Sequence, residues 1–356
     1  MTKSITLFLA LLVTAGFLNG KPFKGTGAIR TSQFIYKEKD VSFPSCHAST
    51  LTETANGLVA AWFGGAEEKA PDVCIYTSTC VKGKWKTPVM AADGIDNGKR
   101  FPCWNPVLFT RDNGDIVLYY KVGPDPRTWW GKFRISSDNG ETWSAPSGIP
   151  DFLLGPIKNK PVRLPDGTIM YPTSFETPMA WNIYIETSDQ QLKNWKKIAI
   201  DNNGLHSIQP SILFHRDGKL QLLCRSKNKT INESWSKDNG RTWSPVTPTQ
   251  LPNNNAGTDA VTLSDGRQLL IFNPVTKGRN KLAVAISQDG VNWEAVMQLE
   301  NDPNPKGEYS YPAVIQTRDG LVHFTYTWRR ELIKHVVIDL SKVKTKPILN
   351  GIWPEE

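Results

Sequence analysis

At 356 residues the chain is longer than the usual single domain, and its formal charge of +8 comes from basic residues that are dispersed rather than clustered. That dispersal argues against a nucleic-acid partner, while the charge itself fits either simple solubility or an acidic glycan ligand. Helix-period stretches are scarce, whereas Trp (13), Gly (27) and Pro (25) are plentiful, so short strands joined by turns are expected in place of a helical bundle.

The first expected element is not part of a fold. Lys3 precedes an apolar run from Ile5 to Phe17, and Leu18-Asn19-Gly20 closes it. Residues 1–20 therefore predict a secretory signal peptide cut near Gly20 or Lys21. The run is too short for a comfortable membrane span, and no other segment approaches the ~20 apolar residues that a span needs. No Cys follows it, so no lipid anchor is expected. Residues 21–356 are expected to be exported, secreted or periplasmic, with a charge of about +7 once Lys3 is lost.

From residue 56 onward a hairpin signal recurs at intervals of about fifty residues. Asp or Asn followed by Gly precedes an apolar, β-rich run at Asn56-Gly57, Asn113-Gly114, Asp166-Gly167, Asp217-Gly218, Asp265-Gly266 and Asp319-Gly320. Such pairs supply the φ > 0 residues of tight hairpins. A period of this length built on strands predicts an all-β protein, a six-bladed β-propeller of four-stranded antiparallel blades, as one domain over 21–356. Upstream of each glycine stands a polar residue, then Pro or Ala, then an apolar strand. This alignment puts His47, Asn105, Lys160, Gln209, Asp259 and Tyr311 in one ring at the leading ends of the innermost strands. Different side chains at equivalent places of a symmetric scaffold point to a ligand being read; the alternative is that they satisfy strand ends around a channel.

Downstream of most hairpins comes a second marker, Ser-x-Asp-x-Gly-x-Thr-Trp, complete at Ser136–Trp143 and Ser236–Trp243 and shortened before Trp195 and Trp293; a bare Trp85 marks the first repeat. Asp138, Asp189, Asp238 and Asp289 are expected to bond turn amides, and each Trp to staple strands, so these boxes read as structural. Trp104 and the adjacent Trp129-Trp130 offer either a sugar-stacking platform or packing under a loop. Among the five cysteines, Cys46 and Cys103 hold matching places and could pair, whereas Cys224 reads as a core thiol. No Cys/His spacing resembles a zinc site, and no cofactor or metal is implied.

The boxes, also called Asp boxes or BNR repeats, are a hallmark of the sialidase superfamily, which the chain resembles along its mature length. The stretches Cys46–Thr50, Ala61–Gly65, Gly155–Pro161, Ile208–Ser211 and Glu308–Ala313 carry a closer likeness to bacterial sialidase-like BNR-repeat proteins. The resemblance implies a glycosidase that holds a sugar carboxylate with arginines and attacks with a tyrosine. A guanidinium fork suits a carboxylate, and a neutral tyrosine avoids the repulsion between a carboxylate nucleophile and an anionic sugar. By local context it implies Arg225 and Arg279 as carboxylate ligands and Tyr309 as nucleophile beside Glu308, with Tyr311 competing. Asp72 is implied as acid/base, with Glu67 and Glu68 as nearby alternatives for that role. Where the family has its first arginine, this chain reads Ser45-Cys46-His47-Ala48.

His47 opens a second reading, because an imidazole near neutral pH serves as acid or base. Some propeller enzymes of related architecture cut at glucuronate in plant and algal polysaccharides and depend on a cavity histidine. His47, Tyr309, Tyr311, Arg225, Arg279 and Lys160 would supply a rhamnosyl-glucuronate hydrolase or a uronate lyase. The expected partner is thus an acidic oligosaccharide or polysaccharide. The main expectation is a sialidase-like hydrolase of a terminal acidic sugar; the His-dependent enzyme and a non-catalytic glycan-binding propeller are the alternatives.

Overall fold

The computed structural model describes residues 27–355; the expected signal peptide lies outside the described residues. Among the described residues six larger β-sheets stand around one axis, and a two-stranded hairpin, Ile95–Asp96 with Lys99–Arg100, lies in the connection between the first two. Blade 1 takes Ser45–Glu53, Leu58–Gly65 and Cys74–Val81, with Lys84–Trp85 and Val89–Ala92 both paired to the third strand. Blade 2 takes Cys103–Thr110, Ile116–Val122, Trp130–Ser136 and Ser147–Gly148; blade 3 takes Val162–Arg163, Ile169–Glu176, Trp181–Ser188 and Lys196–Ala199. Blade 4 is Ser207–Phe214, Leu220–Ser226, Thr230–Ser236 and Thr247–Pro252, and blade 5 is Asp259–Thr262, Gln268–Phe272, Lys281–Ser287 and Trp293–Asn301, edged by Lys346–Pro347. Blade 6 consists of Tyr309–Gln316, Val322–Trp328 and Leu332–Ile338, and its outer strand is the N-terminal Ile29–Phe34. That borrowed strand joins the first described strand to the last blade and closes the ring.

All six expected glycines sit at the first hairpin of a blade with positive φ, from 81° at Gly320 to 142° at Gly57. Their preceding Asp or Asn does not. In blade 2 the Arg111 amide donates to the Asp115 carbonyl (2.8 Å), the Gly114 amide donates back to Arg111 (3.0 Å), and the Asn113 side chain accepts from the Asp115 amide (3.1 Å). The same pattern recurs at Leu164–Thr168, His215–Lys219, Leu263–Arg267 and Thr317–Leu321. Each turn therefore needs one left-handed residue, and the acidic or amide side chain locks it from outside.

The Asp boxes follow the third strands and lie at the end of the propeller opposite the leading ends of the inner strands. Asp138 accepts from the Thr142 amide (2.9 Å), the Thr142 hydroxyl (2.5 Å) and Ser136 (2.7 Å), and Asp238 repeats this with Thr242 and Ser236. These bonds hold both carboxyls down to about 2. The Trp243 and Trp293 indoles donate to the box glycine carbonyls at 3.0 and 3.1 Å. Apolar side chains fill the six spaces between consecutive blades, as with Val59 and Leu108 between blades 1 and 2, or Leu51 and Ile333 between blades 1 and 6. The five described thiols are free, and Cys46 and Cys103 lie in different interblade cores, so the expected pairing does not form.

Candidate active site

Four inner strands carry a β-bulge near their leading ends, and each bulge places a residue in the left-handed region: Ala48 (φ 58°), Asn105 (33°), Gln209 (54°) and Tyr311 (51°). A bulge re-aims the side chain it carries, and three of these residues are members of the expected ring. The register corrects the fourth. Ala48 and Ser49 oppose Trp62 in blade 1 as Asn105 and Pro106 oppose Tyr120 in blade 2, so His47 is equivalent to Trp104, Ile208 and Ser310, one place before the ring.

Across the axis the blades converge on Tyr311. Its hydroxyl contacts Arg225 Nη1 from blade 4 and Gln209 Nε2 (3.4 Å), and Gln209 Oε1 accepts from the same guanidinium (3.3 Å). Arg225 also donates to Asn255 Oδ1 (3.1 Å) and lies 5.1 Å from the Trp181 ring. The guanidinium carbons of Arg225 and Arg279 stand 5.5 and 5.9 Å from the centre of the Tyr311 ring. His47 packs on the same ring at 4.1 Å between centroids, and its Nδ1 shares a 2.9 Å hydrogen bond with Thr327 Oγ1. Burial, then the charges of Arg330, Arg279, Arg225 and Lys158, hold this imidazole well below its ordinary range, so it is neutral. Asn105 lines the axis from blade 2, 5% exposed and with no hydrogen bond to another described side chain.

Around this centre lies a second charged group. Glu308 Oε1 accepts from Arg279 Nη1 (2.9 Å), Arg330 Nε (2.7 Å) and Ser310 Oγ (3.2 Å), and Arg330 Nη1 reaches Glu68 Oε2 at 2.6 Å. Burial opposes ionisation of Glu308, but the two guanidiniums outweigh it and its carboxyl titrates lower than usual. Glu308 is thus bound to arginines, and neither the Tyr309 nor the Tyr311 hydroxyl hydrogen-bonds it. Tyr309 is 3% exposed in the core between blades 5 and 6, where its hydroxyl donates to Asp302 Oδ2 at 2.8 Å. Burial raises that phenol to about 12. The tyrosine at the axis is Tyr311. Asp72 stands in the exposed loop that follows the second strand of blade 1, accepting from the Ala66 amide (2.9 Å).

Other expected ligands turn out to hold the ring shut. Lys160 Nζ donates to Asp259 (2.9 and 3.1 Å) and to the Ala260 carbonyl (2.9 Å), while Asp259, 2% exposed, also accepts from Ser211 and the Val314 amide. Both groups are committed to each other and to blades 4–6. Asn159 bonds the Gln209 carbonyl (2.9 Å) and Ser211 (2.8 Å). Lys158, unmarked by the sequence reading, crosses the axis and donates to Asn159, the Thr258 carbonyl (3.0 Å) and the Pro312 carbonyl (2.5 Å). Burial lowers its ammonium to about 7. Gly257 makes the crossing possible, since a Cβ there would meet Lys158 Cε at 2.9 Å. Trp104 is buried, bonds the Gly123 carbonyl (2.8 Å) and packs with Trp129, and Trp130 packs on Phe101, so no exposed tryptophan platform exists there. Arg330 also escaped sequence reasoning; its one signal was an Arg-Arg pair between two apolar runs, Val322–Trp328 and Leu332–Ile338.

A six-bladed propeller with arginines gathered around an axial tyrosine defines the class as sialidase-like. Residues 56–324 match the BNR repeat-like domain family, and the chain belongs to it. A sialidase of Bacteroides fragilis is 32% identical over 223 residues, 53% of this chain and 40% of the relative's length; the chain therefore spans less than half of that protein. Among solved structures, the Hadza microbial sialidase Hz136 superposes with a TM-score of 0.73 at 19% identity, covering 88% of this chain and 70% of that one. The intramolecular trans-sialidase from Ruminococcus gnavus gives 0.68 at 14%, over 90% and 99%. A protein of unknown function from Dyadobacter fermentans gives 0.68 at 15%, over 87% and 98%. At these identities the likeness is one of fold.

Proposed function

We propose that the chain is an exported glycoside hydrolase of the sialidase type that removes a terminal acidic sugar from a glycan. The observation that carries this reading is the approach of Arg225 and Arg279 to Tyr311 from separate blades. The two guanidiniums take the sugar carboxylate, which orients the ring for attack. Tyr311 gives its phenol proton to water as its Oη bonds to the anomeric carbon and the glycosidic C–O bond breaks, and the leaving oxygen takes a proton from Asp72. Water then cleaves the tyrosyl–sugar bond. Export follows from the leader-like residues 1–20.

A second reading, a His-dependent hydrolase or lyase at glucuronate linkages, has its own support. Tyr311 Oη contacts a guanidinium and an amide, and among the described residues no carboxylate hydrogen-bonds it to draw off its proton. The neutral imidazole of His47 lies against it and is the nearby base. Product analysis separates the two. The mature protein is incubated with sialylated glycans and with glucuronate-containing polysaccharides, and released sugars are read by mass spectrometry. Free sialic acid upholds the first reading; rhamnose or an unsaturated uronate replaces it with the second. Silence on both sets, with glycan retained on the protein, makes it a binding propeller.

A further inference from the structure

Resting on the acidic-sugar reading, we propose that Arg330 is a third carboxylate-binding guanidinium whose ligand position Glu68 occupies until an acidic sugar displaces it. The chain has a histidine where the first arginine of the resemblance would stand, yet the charge is not lost from that side of the axis. The Cys46 amide donates to the Arg330 carbonyl at 2.8 Å, which pins the Arg330 backbone one residue from His47. Arg329 and Arg330 are both left-handed, at φ 52° and 62°, and make the tight turn of blade 6 that turns this side chain toward blade 1. Arg330 and Arg279 bond the same oxygen of Glu308, so the two guanidiniums lie within reach of one carboxylate.

The two glutamates on Arg330 differ in how firmly they are held. Glu308 accepts three donors on one oxygen and is fixed between blades 5 and 6. Glu68 has the single 2.6 Å contact to Arg330 Nη1, and its side chain is 38% exposed against 28% for the arginine. A solvent-reached ion pair of this kind contributes little stability and exchanges readily. The carboxylate of a sugar presents the same two oxygens that Glu68 presents, so it competes for the same arm of the guanidinium. With Glu68 displaced, Arg225, Arg279 and Arg330 face the ligand from blades 4, 5 and 6. Glu68 is thereby a built-in competitor that makes the site reject weak anions.

Titration calorimetry of the mature protein with N-acetylneuraminate, glucuronate and neutral glucose tests this, using Glu68→Gln, Arg330→Gln and Arg225→Gln. Glu68→Gln should bind the acidic sugars roughly threefold more tightly. Arg330→Gln should bind them roughly tenfold more weakly, with glucose unchanged in both. Loss of binding in Arg225→Gln alongside wild-type affinity in Arg330→Gln or weaker binding in Glu68→Gln overturns the role of Arg330 and keeps the acidic-sugar reading. Failure of both the wild type and Glu68→Gln to bind either acidic sugar overturns both. If melting shows Arg330→Gln unfolded, the direction of the Glu68→Gln shift decides alone.

Discussion

Tyr309 and Tyr311 are two residues apart on one strand, and in a regular strand they would share a face. The bulge at Tyr311 breaks that equivalence: Tyr309 points into the core between blades, and Tyr311 points to the axis. The difference makes opposite predictions for the loss of one oxygen. Tyr311→Phe should lower kcat by roughly a thousandfold or more while the protein melts normally. Tyr309→Phe should keep kcat and cost about 1 kcal/mol of stability, because the part-buried hydrogen bond to Asp302 is lost. Denaturant melts and steady-state rates on the two variants check this, and a Tyr309→Phe enzyme that is folded but inactive would return the nucleophile to Tyr309. Sequence context had put Tyr309 first as nucleophile and left Tyr311 as its competitor. Local spacing cannot report a bulge, since the extra residue is defined only by what the neighbouring strand places opposite it.

At the scale of the element, the repeat separates what builds a blade from what works at its end. The hairpin glycines and Asp boxes obey local rules, because the bonds that shape their turns fall within a few residues. That is why their positions, and the structural role of the boxes, were legible from the residues alone. Asp238→Ala should lower the melting temperature and leave the kcat of the folded protein as it was, because the box sits at the far end of blade 4 from Arg225. A fall in kcat without a change in melting would contradict that separation. The ring behaved differently. Lys160 and Asp259 came out of the same alignment as Gln209 and Tyr311, yet the first pair joins blades 3 and 5 and the second faces the axis. Aligned polarity marks a depth in the propeller and says nothing about which way each side chain turns.

For the whole molecule, closure depends on the meeting of its last and first blades. There the Trp85 indole of blade 1 donates to His335 Nδ1 (3.2 Å), and His335 Nε2 lies 3.0 Å from His323 Nδ1, with Asp319 as the charged neighbour of His323. Burial and then the adjacent His323 lower His335 to about 3, and burial lowers His323 as well. A histidine depressed in the folded state gives stability that is complete above its unfolded value near 6.5 and is lost as pH falls toward the folded value. The protein should therefore lose about 2–3 kcal/mol through His335 between pH 7 and about 4.5, seen as a falling urea midpoint that is flatter in His335→Phe. A wild-type midpoint constant over that range would refute the buried-histidine account. Fold class, blade number, the first hairpin of each blade and the structural boxes were determined by the sequence alone, because they rest on turns and periods that close within one repeat. Only the tertiary structure decided that the N-terminal strand completes blade 6, that Lys158 crosses the axis, and that Arg330 joins Arg279 on Glu308. Each of these contacts joins residues that lie far apart in the chain or on blades brought together by ring closure, where no local pattern specifies a partner.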